Sequence, residues 1–206
     1  LGLNVPSDKI EIVLNGADVT GVADPELARQ KFDLKGDFVL HLSRYTNGRK
    51  NVLSMVHGLG KAGLPLVLAG TSKPGKGRDQ IHEVAKQYGN VKFLGPVDME
   101  ARDSLYAACR VFCLPSHFEG TGLVAVEAAA FGAAVVITKN GGPPDYFLNH
   151  AEYVSRGDAD EIAAATQKAW DRYGETELRE RVLNTLTWTK SAKALATAYE
   201  KHCLGA

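Results

Sequence analysis

The chain is 206 residues long, enough for one large or two small domains with a sizeable core, and the one-domain reading over 1–206 is preferred. Lys plus Arg equals Asp plus Glu at 24 each, so the overall field carries no nucleic-acid or anionic-membrane signature, and any anion site must be local. No apolar run approaches the ~20 residues of a membrane span, and Leu1-Gly2-Leu3-Asn4 lacks the basic start and apolar core of a signal peptide. The first residue is not Met, so a fragment or processed piece of a longer protein is expected. Cys109, Cys113 and Cys203 form no CxxC and no paired framework, which points to reduced, buried thiols and a cytoplasmic location.

In chain order, Val5 to Lys9 reads as a turn, Ile10 to Leu14 as a strand and Asn15-Gly16 as the turn after it. Pro25 to Leu34 carries a helical pattern with Pro in its first turn and Gly36 beyond its end. Asp37 to Ser43 is a buried strand, followed by the cationic loop Arg44 to Lys50 and a helix from Asn51 to about Ala62. Leu64 to Ala69 is the next strand. The loop from Gly70 through Lys76 matches the first seven positions of a phosphate-binding GxxxxGK, but Gly77 stands where a magnesium-holding Ser or Thr belongs. With Pro74 inside the loop and a helix start expected near Gln80, a flexible surface loop is the preferred reading, and a nucleotide triphosphatase the rejected one.

Further on, a helix runs to Tyr88, Val91 to Leu94 is a strand, Gly95 to Asp98 a turn, and Met99 to Ala108 a helix. Arg110 to Leu114 and Ala133 to Thr138 are strands enclosing a glycine-rich turn and a small-residue helix. Lys139 to Asp145 reads as a turn that no helix or strand could hold. Tyr153-Val154 is a last short strand. Asp158-Ala159-Asp160 imitates a metal-clamping DxD, yet Asp158 lies three before Glu161 at the start of an apolar-periodic run, which is a capping box. Helices near Glu175 to Leu186 and Lys190 to His202 flank Trp188. Strands alternating with helices predict an α/β fold, a doubly wound parallel Rossmann-like sheet with helices at the C-terminal end. No GxGxxG joins an early strand to its helix, which argues against a nicotinamide or flavin enzyme.

The stretch from His117 to Gly132 places Glu119 and Glu127 eight positions apart across the turn Gly120-Thr121-Gly122-Leu123. A helix start offers N–H donors and positive dipole character to an anion. The loop Arg44 to Lys50 and this turn both lie at carboxyl ends of strands, so they are expected on one rim, converging on one anion without a metal. Phosphate would repel both glutamates, by about 4 kcal/mol at 4 Å and an effective dielectric near 20, so their partners are expected to be hydroxyl groups. A diphosphate flanked by two polyhydroxylated rings is a nucleotide sugar. The rival readings are the acid and nucleophile of a glycoside hydrolase, disfavoured because both carboxylates sit on one crossover, and plain helix capping.

These residues resemble retaining glycosyltransferases of family four, with the two-domain GT-B fold. Glu119 to Glu127 resembles their E-x7-E signature, and Pro115-Ser116, Gly132 and Gly141-Gly142-Pro143 agree around it. Val5 to Ile10 with Asn15 to Asp18 resembles the start of the family's second domain, Ser43-Arg44 with Lys50-Asn51 its phosphate loop, and Phe93 to Val97 its base-binding turn. Lys139 to Asp145 is closest to the sucrose-phosphate synthase and sucrose synthase branch.

The resemblance implies that Arg44 and Lys50 hold the diphosphate as leaving group, with Arg49 the alternative to Lys50 and Asn51 favouring Lys50. It implies that Thr121, Gly122 and Leu123 donate backbone N–H groups, Glu127 binds ribose, Glu119 faces the donor sugar, and Leu94, Gly95 and Val97 meet the base. No metal or other cofactor is implied; the donor would be of UDP-glucose, GDP-mannose or ADP-glucose type. Ala134 and Thr121 depart from the common Pro and Phe, and the family's N-terminal acceptor domain has no counterpart here. His41 and His117 are expected in packing or polar contacts. A non-catalytic nucleotide-sugar-binding or regulatory module is the alternative from another class.

Overall fold

The computed structural model describes residues 6–19, 23–46 and 48–204, and the side chains of all of these except residues 8, 203 and 204. Val5, Asn47 and the Cys203 thiol therefore lie outside the described residues. Six strands form one parallel sheet: β1 (Val39–Leu42), β2 (Leu66–Ala69), β3 (Val91–Gly95), β4 (Val111–Leu114), β5 (Ala134–Thr138) and β6 (Glu152–Val154), in the spatial order β3-β2-β1-β4-β5-β6.

The chain builds outward from β1 to β3, then returns to lay β4 on the other side of β1. The helices follow that reversal. α2 (Val52–Lys61), α3 (Lys76–Lys86) and α7 (Ala159–Asp171) cover one face, while α1 (Pro25–Lys31), α4 (Met99–Ala108), α5 (Leu123–Ala130) and α8 (Glu177–Thr185) cover the other. Period-two alternation splits each central strand between the two cores. Val111 and Cys113 join the α2 side, and Phe112 and Leu114 the α5 side. All four are essentially inaccessible, as expected of a strand covered on both faces.

β1 and β4 pair only through Val39–Val111 and Leu40–Phe112 and then diverge. His41 spans the gap: its Nδ1 lies 2.8 Å from Cys113 O and its Nε2 2.7 Å from Ser43 Oγ. Burial pushes this imidazole down to about 4, so it is a neutral strut at physiological pH. Cys109 and Cys113 are buried free thiols, as expected, with burial raising both well above the ordinary thiol range.

Several expectations need correction. Ile10 to Leu14 is not a strand. Among the described residues it pairs with no strand, Ile12 is 81% exposed, and an isolated bridge, Ala17 to Thr187, follows it. α3 begins at Lys76 rather than near Gln80, because Gly75, at φ 135, turns the chain directly into it. The turn expected over Lys139 to Asp145 becomes helical at its end, as α6 (Pro143–Phe147): proline at the first helical positions lacks only an N–H that would be unpaired anyway. Trp188 does not separate two helices but opens α9 (Trp188–Tyr199).

The N-cap half of the expected capping box is present, while Glu161 reaches past Asp158 N to the three amides before it. Asp158 Oδ1 accepts from Glu161 N at 2.9 Å, and the Glu161 carboxylate accepts from the amides of Ser155, Arg156 and Gly157. Burial works against its ionisation, but these donors outweigh it and hold Glu161 down at about 2. Asp158 is thus a helix cap, Asp160 is exposed with a surface ion pair to Lys61 at 3.5 Å, and no group of three or more metal-binding side chains occurs among the described residues.

Candidate functional site

Adjacent parallel strands whose connections run in opposite directions leave a crevice at their carboxyl ends. Here that switch point lies between β1 and β4, and the segments after these two strands are the cationic loop and the Glu119 turn. The loop closes in a 3-10 turn at Gly48–Lys50. Asn51 then takes a left-handed conformation, φ 55, and buries its amide, donating to Pro115 O at 3.2 Å and Gly157 O at 2.6 Å. His117 N donates to Arg49 O at 2.9 Å. These bonds fix the loop against the start of the turn.

Glu119 sits at their junction, 5% exposed. Its Oε1 accepts from Lys50 Nζ at 2.7 Å and Ser116 Oγ at 2.6 Å, and its Oε2 accepts from the Arg49 guanidinium at 3.2 Å. Burial opposes its ionisation, but the bonds from Lys50 and Ser116 and the charges of Lys50 and Arg49 prevail, holding the carboxyl below its usual range. The backbone is held as firmly: Glu119 N donates to Asn140 O and Gly142 N to Glu119 O, both at 3.1 Å. That contact explains Gly141-Gly142. A Cβ on Gly141 would lie 1.9 Å from Glu119 O, and one on Gly142 2.0 Å from Gly120 O.

Thr121 and Gly122 lead into α5. Gly122 is left-handed at φ 77, and a Cβ there would meet Ile137 Cδ1 at 2.7 Å. No side chain caps α5, so its first N–H groups face the crevice end uncapped. Thr121 Oγ1 lies 3.4 Å from the hydroxyl of Tyr146, which accepts from Asn15 N at 2.9 Å. Glu127 lies in the body of α5, half-buried. Its Oε2 accepts from Tyr106 Oη at 3.1 Å, with the Arg102 guanidinium farther off at 3.9 Å. Burial raises the Glu127 carboxyl above its usual range, and Arg102 and Tyr106 offset this only in part.

The remaining expected site residues are more dispersed. Arg44 is exposed, forms no hydrogen bond or ion pair among the described residues, and faces the loop after β2. Gly95 ends β3 with its carbonyl accepting from Gly70 N at 2.8 Å. Leu94 and Val97 pack their side chains against the core on the α5 side. His41 is the buried strut already described, and His117 is exposed. Sequence reasoning missed Ser116 as a Glu119 partner, the buried Asn51 amide, and Tyr106 with Arg102 behind Glu127. Ser116 and Asn51 stood beside expected residues. Tyr106, 21 positions from Glu127, left no local signal.

A parallel sheet in this order, with helices on both faces and a switch point between β1 and β4, defines a Rossmann-like domain. Residues 24–184 match the family described as glycosyl transferases group 1, and the chain belongs to that family. It is 36% identical over 137 residues to the phosphatidyl-myo-inositol mannosyltransferase of Mycolicibacterium smegmatis, covering 63% of this chain and 34% of that protein.

Sucrose-phosphate synthase from Thermosynechococcus elongatus has the same fold at a TM-score of 0.79 and 25% identity, covering 95% of this chain and 53% of that one. HepE from Anabaena, solved in complex with UDP, superposes at a TM-score of 0.67 and 23% identity, over 93% of this chain and 53% of its own. The chain thus spans between about a third and about half of these relatives. The family and GT-B resemblances are borne out. No described helix is long and apolar enough to cross a membrane.

Proposed function

We propose that this chain is the donor-binding half, a single domain over 1–206, of a retaining glycosyltransferase. It would move a hexose from a nucleoside-diphosphate sugar to a hydroxyl acceptor in the cytoplasm. An acceptor-binding domain elsewhere in the full-length protein completes the site, and the chain alone binds donor without transferring it. The observation that carries this reading is the cluster at the β1–β4 switch point: Lys50 and Arg49 on Glu119, beside an uncapped helix that carries Glu127.

Two cations on one carboxylate leave one net positive charge, so the diphosphate meets an attractive site although Glu119 is there. Lys50 has three N–H donors and spends one on Glu119 Oε1, which leaves two for phosphate oxygens. As the bond from the anomeric carbon to the diphosphate oxygen breaks, negative charge grows on that oxygen, and a preorganised donor there is typically worth about 3 to 4 kcal/mol of barrier. Arg44 adds a third cation from the same loop, and the amides of Thr121, Gly122 and Leu123 supply neutral donors. No metal is needed for this charge balance. Glu127 takes the ribose hydroxyls with Oε1 while Tyr106 holds Oε2. Leu94, Gly95 and Val97 frame the base by their backbone, although the Gly95 carbonyl is already engaged with Gly70.

Calorimetric titration of the chain with UDP-, GDP- and ADP-sugars, with and without magnesium, tests the reading. Metal-independent binding of one of the three is expected, weakened about tenfold or more by Glu127→Ala, the scale of a lost hydrogen bond to a charged group. Binding of none, or binding that requires magnesium, would overturn it. Binding indifferent to Glu127→Ala would remove only the ribose assignment.

A further inference from the structure

The loop after β2, compared with a phosphate-binding loop and set aside on sequence grounds, keeps more of that architecture than its sequence promised. β2 ends at Ala69, and α3 starts at Lys76, directly on the Gly-Lys pair. The order strand, GxxxxGK, helix therefore holds, with Gly77 in place of the hydroxyl that would hold magnesium. Gly70 and Gly75, at φ 112 and 135, make the two bends that only glycine makes freely.

The loop is also anchored. Ser43 N donates to Ala69 O at 3.2 Å, Tyr45 N to Thr71 O at 3.1 Å, and Lys73 N to Thr46 Oγ1 at 3.1 Å. The last two bonds, from the segment that carries Arg44, bring that side chain onto the wall of the cleft the β2–α3 loop forms. The cleft has a volume of about 340 Å3, and Arg44, Lys73, Lys76 and Arg78 all line it.

None of these four side chains makes a hydrogen bond or ion pair among the described residues, and no carboxylate lines the cleft. Asp79, the nearest acid in sequence, is exposed on the first turn of α3. Four unpaired cations around one concavity repel one another, in a chain whose acids and bases balance at 24 each. An anion entering the cleft relieves that repulsion.

We propose that this cleft seats a phosphate dianion, either orthophosphate or the phosphoryl group of a phosphorylated sugar. It is held without a metal by Lys73, Lys76 and Arg78, with Arg44 on the side toward the β1–β4 crevice. The seat shares only Arg44 with the donor site proposed above; Lys73, Lys76 and Arg78 are its own, so it stands whether or not that reading holds. Its charge suits a dianion. The absence of a hydroxyl at Gly77 sets it apart from a magnesium-nucleotide loop.

Amide chemical shifts followed during titration with orthophosphate, and separately with glucose 6-phosphate, test the seat. The expected result is saturable shifts at millimolar ligand, largest over residues 73–78, unchanged by EDTA and persisting under saturating UDP. The double variant K73Q/K76Q is expected to bind about tenfold or more weakly, with the melting temperature of the parent because both side chains are exposed. R78Q alone is expected to weaken binding less. Tighter binding of glucose 6-phosphate assigns the seat to a phosphorylated sugar, and equal binding assigns it to free phosphate. The proposal is overturned if shifts are absent or centre on Arg49 and Gly122. It is equally overturned if UDP displaces the ligand, if magnesium is required, or if K73Q/K76Q binds as the parent does.

Discussion

Glu119 and Glu127 lie on one crossover, eight residues apart, and live in opposite surroundings. The turn holds Glu119 between Lys50, Arg49 and Ser116, which favours its ionised form. The helix buries Glu127 with one hydroxyl donor and a distant guanidinium, which favours its neutral form. Glu119 is therefore part of the scaffold that aims the cations. Glu127 has one hydroxyl donor and one distant cation, an arrangement that suits the ribose role proposed above.

The largest effect should come from Glu119→Gln. It leaves Lys50, whose side chain is 14% exposed, without its counter-ion. Removing one partner of a fully buried pair costs roughly 3 to 5 kcal/mol; with Arg49 half in solvent, about 2 to 3 kcal/mol is expected here, a fall of about 5 to 10 °C in melting temperature. Adding Lys50→Met should recover part of that loss, since both charges are then gone. A double variant no more stable than Glu119→Gln would mean that the pair does not govern the turn.

Tyr106→Phe probes the other side of the comparison. The ring keeps its edge contact with Phe112 while the donor to Glu127 is lost. Stability should fall by about 1 kcal/mol and affinity for the nucleotide sugar by roughly threefold to tenfold. Unchanged affinity would show that Glu127 is oriented by something else.

Glu127→Gln should have the smallest effect on the fold and the opposite sign to Glu119→Gln. The folded protein raises the Glu127 carboxyl above its unfolded value, so that group's contribution is present below the unfolded value of about 4.5 and lost as pH rises through the folded one. Glu119 is depressed, so its contribution is present above about 4.5 and lost on acidification. At pH 7 Glu127→Gln should be neutral or stabilising by under about 1 kcal/mol, and the difference should vanish by pH 4. The penalty of Glu119→Gln should shrink over the same interval. Melting curves of the three proteins from pH 4 to 8 read both trends, and parallel profiles would remove the contrast.

Much of the architecture was legible because strand and helix periods differ. Val111 to Leu114 and Ala134 to Thr138 are short apolar runs bounded by turns, and the small-residue helix between them has no alternative partner but the sheet. The errors fell where local signals conflict with context. Ile10 to Leu14 has strand composition but pairs with no described strand, Gly77 and Asp79 hid a helix start set by Gly75, and Pro143-Pro144 read as a break although proline is at home in a first turn.

The sequence by itself determined the class of fold, the two glutamates and their spacing, and the cationic loop that faces them. Residue types and short-range periods carry that information. Only the tertiary structure decided which cation meets which carboxylate. Lys50 and Arg49 turned to Glu119 because β1 and β4 are neighbours across the switch point. Arg44 turned to the loop after β2 because Tyr45 and Thr46 bind that loop instead. The same packing separated the two glutamates electrically, since a carboxylate's ionisation depends on how many donors the rest of the chain brings to it.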